Sequence, residues 1–212
     1  MYGQGDGNAD VGALNTQILT QQAAKMATVD NFDMLEATRG LESALSQFNL
    51  QTEDSNLLMQ RSGHILDVWT KLAHSSGASA QDLTQGVSKA GAAAKNAGVS
   101  FEMLNALIAV GVRSTAENGN IIGNSLKSMF SSILSDKNIK NMEQFGLQIY
   151  KIGKKGTKEL RPMKDIILDI SKALSENPKN VDPKGLSEFM MPISGGKQQY
   201  SRVMDILGNY KE

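Results

Sequence analysis

The sequence predicts an all-α protein, and three observations carry that expectation. Apolar residues recur at three- and four-residue steps through most of the 212 residues, which is the spacing of one helix face. Ser, Thr, Asp and Asn stand ahead of those runs, where their side chains can accept the first free N–H groups of a helix. Gly and Pro cut the chain into pieces of helix length. The expected architecture is eight to nine helices in short hairpins. It divides into a flexible lead-in at 1–10, a helical core domain at 11–146 and a smaller C-terminal helical subdomain at 147–212.

The opening MYGQGDGNAD is polar and Gly-rich, which suits a lead-in. From Val11 the period is helical, with Val11, Leu14, Ile18 and Met26 near one face and a cap signal at Asp30 or Asn31. A second helix follows with Met34, Ala37, Leu41, Leu45 and Phe48. Thr52, Glu53 and Asp54 mark the start of a third, because carboxylates suit the positive end of the helix dipole. Its face is Leu58, Ile65, Val68 and Leu72.

The middle contains an internal repeat. Gly77-Ala-Ser79-Ala-Gln-Asp-Leu83 matches Gly98-Val-Ser100-Phe-Glu-Met-Leu104. In each copy Gly ends one helix in a left-handed turn, Ser caps the next, and an acid lies in its first turn. Val99 and Leu104 occupy the two positions of a hydrophobic staple. The intervening helix carries Leu83, Val87, Ala90, Ala94 and Ala97 on one face, small enough for a neighbouring helix to come close.

Past the loop at Asn118–Asn120, an amphipathic helix carries Ile122, Leu126, Met129, Phe130 and Ile133. A short helix with Ile139, Met142 and Phe145 ends at Gly146. LQIYKIGKKGTKEL alternates apolar residues and holds two glycines, so it reads as a small hairpin or an irregular loop. Pro162 suits the first turn of a helix with Ile166, Ile167, Ile170 and Leu174, which Asn177-Pro178 stops. Asp182-Pro183 caps a helix with Leu186 and Phe189. Ser194-Gly195-Gly196 leads into a last helix with Tyr200, Val203 and Leu207.

Composition narrows the chemistry. With only 5% aromatic residues and a single Trp69, the core must close through Ala, Met and small side chains. There is no Cys, hence no disulfide, thiol nucleophile or cysteine metal site. No apolar signal-like stretch opens the chain. The most apolar run, Met103 to Val112, contains Asn105 and is about half the length a bilayer requires. Net charge is zero, but its halves differ. Residues 1–110 hold six Lys and Arg against eleven Asp and Glu, a net −5, and residues 111–212 hold sixteen against eleven, a net +5. Solvated faces of opposite sign account for this, as does head-to-tail association between copies or an acidic partner for the C-terminal half.

Candidate catalytic and metal-ligating residues are scarce. His64 and His74 lie about 80° apart around a helix and lack the i, i+4 relation of a helical zinc site. A triad drawn from Ser62, Ser75 and Asp67 stays open, but no nucleophile elbow surrounds either serine. Asp6-x-Asn8-x-Asp10 imitates an EF-hand, yet Val11 stands where the turn Gly belongs and Gln17 where the Glu belongs. Gly196-Lys197 lacks the P-loop frame, with Met191 and Gln198 in place of its Gly and hydroxyl. No catalytic, cofactor-binding or metal residue is assigned, and no cofactor is expected. The one functional-looking concentration is basic: Lys137, Lys140, Lys151, Lys154, Lys155, Lys158, Arg161 and Lys164 against Asp136, Glu143 and Glu159. Lysines can neutralise phosphates without reading sequence, but only Tyr150 is there to stack on a base.

AGVSFEMLNALIAV, GNSLKSMFSSI and FGLQIY…GTKELRPMKDIILDI occur in that order. With Phe145, Gly146, Leu147, Ile149, Tyr150, Gly156, Leu160, Arg161 and Pro162, and with Gly195, Gly196, Lys197 and Gln198 before the last helix, the chain resembles the core region of phage tail tape measure proteins from about Met34 to Leu207. Lys197 stands where that family more often has Arg. The resemblance implies a non-enzymatic virion structural protein of a long-tailed phage or prophage, acting in tail length determination and tail assembly. It implies tail tube, tail tip or baseplate, assembly chaperones and further copies of itself as partners, without a small-molecule ligand or membrane span. It implies the virion tail interior, and the host cytoplasm during assembly, as its location. Members are usually far longer than 212 residues, so a full-length member's ruler activity is not credited to this chain. The rival reading is a helical binding module of another kind that uses the basic stretch 137–164 on an acidic protein, DNA or lipid head groups.

Overall fold

The computed structural model describes residues 6–30, 33–154, 156–176 and 183–210. Among them the chain is all-α apart from one two-stranded ribbon. The helices are α1 (Asp6–Asp30), α2 (Met34–Gln47), α3 (Ser55–Ser76), α4 (Ala80–Asn96), α5 (Phe101–Thr115), α6 (Gly119–Ser132), α7 (Asp136–Gln144), α8 (Met163–Glu176), α9 (Pro183–Ile193) and α10 (Tyr200–Asn209). That is ten where eight to nine were expected.

Local chemistry sets most boundaries. Asp33 caps α2 by accepting the Glu36 N–H, and Asp54 caps α3 by accepting from Asn56 and Leu57. The expected cap at Asp30 or Asn31 is corrected: Asp30 still belongs to α1, and Asn31 lies outside the described residues. Both repeat copies behave alike. Gly77 and Gly98 have φ of +79°, where a Cβ would be strained. Ser79 and Ser100 then accept N–H groups of Asp82 and Met103. In the first copy Asp82 returns the bond to the Ser79 N–H, completing a capping box. The LQIYKIGKKGTKEL segment is a hairpin, with β1 (Tyr150–Ile152) antiparallel to β2 (Lys158–Leu160) and Tyr150 opposite Leu160.

Other expectations need correction. Helix α1 begins at Asp6, inside the proposed lead-in of 1–10. Pro162 precedes α8, where its carbonyl accepts the N–H groups of Asp165 and Ile166. Pro192 lies inside α9 in its last turn, where it removes the N–H that would otherwise bond the Glu188 carbonyl and so helps to end the helix. Leu14 and Met34 are 47% and 43% exposed, because their helices have neighbours on too few sides to cover them. Trp69, instead of Val68 or Leu72, is the buried residue of the α3 face, with Leu58, Ser62 and Ile65.

The core is one continuous apolar cluster built around α4, α5 and α6. Leu83, Val87, Ala90 and Ala94 of α4 are fully buried. Helix α6 crosses α4 backbone to backbone. A Cβ on Gly119 would stand 1.9 Å from the Asp82 carbonyl oxygen, and one on Gly123 would stand 2.7 Å from that of Gly86. Helices α1, α2 and α3 pack on one another and on α4, and α3 also lies against α5. On the far side α10 lies against α5, α6, α8 and α9, and α7 against α9. Among the described residues, the buried apolar side chains of α8, α9 and α10 belong to the same cluster as those of α1 to α7.

Trp69 explains Asn105, the polar interruption in the most apolar run. The Trp69 indole Nε1–H donates to the Asn105 Oδ1 at 2.7 Å, and the Asn105 Nδ2 donates to the Phe101 carbonyl at 2.8 Å. Phe101 packs against Trp69 at 5.9 Å and against Phe48, edge to face, at 5.4 Å. A buried indole needs an acceptor, and an asparagine whose own amide is satisfied by its helix supplies one.

Candidate functional site

The residues that carry reactive chemistry are spent on structure. Ser62 is buried and donates its hydroxyl to the Leu58 carbonyl at 2.7 Å, and Ser75 donates to the Lys71 carbonyl at 2.8 Å. Neither hydroxyl faces a histidine. His64 instead meets Glu102 at 2.8 Å, an exposed tie between α3 and α5. Partial burial pushes the Glu102 carboxyl up, but hydrogen bonds from His64, from its own backbone N–H and from Ser100 outweigh it and hold that carboxyl below its ordinary value. His74 sits in the last turn of α3, a position that suits a cation. Asp6-x-Asn8-x-Asp10 lies within α1, not on a loop. The described residues contain no cluster of three or more His, Asp or Glu able to hold a metal ion.

Polar side chains chiefly fasten helices to one another. Asp82 serves twice: besides boxing α4, its Oδ1 accepts the Gly119 N–H at 2.8 Å and so joins the starts of α4 and α6. The Glu36 carboxylate accepts from the Gln81 and Gln85 amides at 2.8 Å each, tying α2 to α4. Arg202 of α10 forks onto Glu117, donating from Nε to Oε2 and from Nη2 to Oε1 at 2.8 Å. This bidentate pair holds the Glu117 carboxyl below its ordinary value and raises the Arg202 guanidinium. Ser125 of α6 donates to the Gln199 side chain at 2.6 Å.

The basic concentration of 137–164 does not form one patch of free cations. Arg161 is bound to Asp169 at 2.7 Å and to the Gln148 carbonyl. Lys151 stands 3.9 Å from Glu159 across the hairpin, and Lys158 lies over the Tyr150 ring at 5.7 Å. Lys155 lies outside the described residues. Lys154 is exposed in the hairpin turn and Lys164 is exposed in the first turn of α8, which leaves Lys137 and Lys140 on α7. These two rim a groove of about 630 Å³ between α7 and α9, to which the turn after α9 adds Lys197. Beside it Phe145 and Phe189 stack with centroids 4.0 Å apart. A second hollow of about 540 Å³ lies among α1, α2 and α3, with Arg39, Glu42, Leu19 and Leu58 in its wall. Sequence reasoning found the lysines but not the groove, because α9 is brought to α7 only by tertiary packing.

Fold and surfaces together define an all-α protein of closely crossed helices with open grooves at its two ends. Residues 7–188 match the family model of phage-related minor tail proteins, and the chain belongs to that family. It is thus a protein with a structural role in a phage tail. No solved structure matches it. Among the described residues, no helix is long and apolar enough to cross a membrane.

Proposed function

We propose that this chain is the folded core of a tail tape measure protein, a non-enzymatic module that works through protein contacts inside the tail. Its contacts are with the tail tube, the tail tip or baseplate and assembly chaperones, and it is held in the host cytoplasm until it is built into the tail of a phage or prophage. The observation that carries this reading is the way α4 to α6 fold back on one another at the Gly77 and Gly98 turns, with backbones touching at Gly119 and Gly123. A rod that measures length by extension gains ~1.5 Å per residue. Folded helices give that length up in exchange for surfaces, so this segment acts as a docking body and not as a stretch of ruler. The Leu-Arg-Pro passage supports the same assignment, since Arg161 locks the hairpin to α8 through Asp169.

The test is a deletion of residues 77–97 in a phage that carries this chain. A docking body loses its fold and assembly stops. Viable tails shortened by about one helix length, roughly 30 Å by electron microscopy, would make the segment part of the ruler.

A further inference from the structure

We propose that the groove between α7 and α9 receives the acidic end of a second copy of this chain, so that copies join head to tail. The inference stands on charge and exposure and does not depend on the tape measure reading.

The groove has the chemistry of a receptor for an acidic, apolar-tipped surface. Its wall includes Met191 and Pro192, and Lys137, Lys140 and Lys197 stand around it. Among the described residues none of these three lysines has an ion-pair partner. The one acid in the wall, Glu188, stands 3.9 Å from Lys184. Lys137 and Lys140 lie one turn apart on α7, so both ammonium groups reach the same side.

The opposite end of the molecule presents the complement. Helices α1 to α3 are separated from α7 and α9 by the layer of α4, α5 and α6. On that end Glu42, Glu53 and Asp67 are exposed and have no ion-pair partner among the described residues. Leu14, Leu35 and Met59 are exposed there at 47%, 57% and 49%. These exposed apolar side chains and free carboxylates belong to α1, α2, α3 and the turn before α3, and they are the chemistry that a lysine-rimmed groove would take.

Whole-molecule electrostatics select the arrangement. The chain carries no net charge, so no long-range repulsion keeps copies apart. Residues 1–110 carry −5 and residues 111–212 carry +5, and α1 to α3 belong to the acidic half while α7 and α9 belong to the basic one, which favours contact between the two surfaces. A two-fold dimer centred on the groove would set lysine against lysine. Head-to-tail contact avoids that, and being heterologous it leaves each copy with one groove and one acidic surface for further copies.

Sedimentation velocity on the 212-residue chain tests this. Average mass should rise with concentration at low salt and fall back towards the monomer at high salt. Two neutralised variants, K137Q/K140Q/K197Q and E42Q/E53Q/D67N, each lose one end. Each should keep its helical circular dichroism and associate about tenfold or more weakly than wild type. Mixed, they still hold one intact groove and one intact acidic end between them. The mixture should therefore form pairs and nothing larger. A wild type that stays monomeric at every concentration and salt overturns the proposal. So do variants that associate like wild type, or a mixture no heavier than its separate components.

Discussion

Gly119→Ala should be among the most damaging single-methyl additions to this protein. The new Cβ would stand 1.9 Å from the Asp82 carbonyl oxygen and 2.5 Å from its carbon, where real Cβ contacts do not fall below 3.0 Å. Both obstacles are backbone, so no side chain can swing aside, and α6 must move from α4 by more than an ångström. That displacement also stretches the 2.8 Å bond from the Gly119 N–H to the Asp82 carboxylate. Overpacking costs about 1–3 kcal/mol, and a bond to a charged acceptor contributes about 1.5–3 kcal/mol. Gly119 is the first residue of α6, so little helix propensity is recovered in return. A net loss of roughly 2–4 kcal/mol follows, which lowers Tm by about 4–15 °C in a chain of this size. Urea unfolding followed by the fluorescence of Trp69, the single and fully buried tryptophan, reads it directly. The control is Gly12→Ala in α1, where a Cβ meets nothing within 4 Å and the change should stabilise by about 0.5–1 kcal/mol. If Gly119→Ala unfolds within about 0.5 kcal/mol of wild type, the two helices do not touch through their backbones, and the account of the α4–α6 crossing fails.

Three further expectations rest on separate features. Ala94→Leu adds three carbons at a fully buried site and should cost about 1–3 kcal/mol, so an unchanged thermal midpoint would mean that the α4 face is not in the core. The Arg202 bond holds the native Glu117 carboxyl below its ordinary 4.5. Its stability is therefore full above that value and lost as pH falls through the lower native one. The Tm gap between wild type and Glu117→Gln should shrink on acidification from about pH 7 to about pH 3, and a gap independent of pH would show that the ion pair does not stabilise the fold. Changing Lys151, Lys154 and Lys158 of the hairpin to Gln should leave stability within about 0.5 kcal/mol of wild type, since these side chains are exposed. A larger loss by chemical denaturation would make the Lys158–Tyr150 stack and the Lys151–Glu159 pair structural.

Much of the fold was legible because its signals are local. Ser79 and Ser100 cap helices that begin at the next residue, each accepting an N–H three positions ahead, whereas Asn118–Asn120, expected as a loop, is the cap and first turn of α6. Gly77, Gly98 and Gly146 take positive φ where the periodicity runs out. Ile122, Leu126, Met129 and Ile133 are all fully buried, as one helical stripe requires. The family was legible in the order of such segments, and the match over residues 7–188 bears out a phage tail protein.

Burial at the stripe margins, and every pairing between distant segments, belonged to the tertiary structure. Periodicity states that a helix has an apolar side but not how many neighbours will cover it, so Leu14 and Met34 were placed inside and Trp69 was left off its face. The partners that give meaning to odd residues are 36 positions apart for Trp69 and Asn105, 37 for Asp82 and Gly119, and 85 for Glu117 and Arg202. The same holds for the candidate site: lysines at 137 and 140 read as a run with 151–164 until packing gives Arg161 to Asp169 and brings α9 beside α7. Caps and turns are fixed within a few residues of chain, where the sequence itself holds both partners. Helix crossings and grooves depend on which faces meet, and that is settled only when the whole apolar surface competes for burial at once.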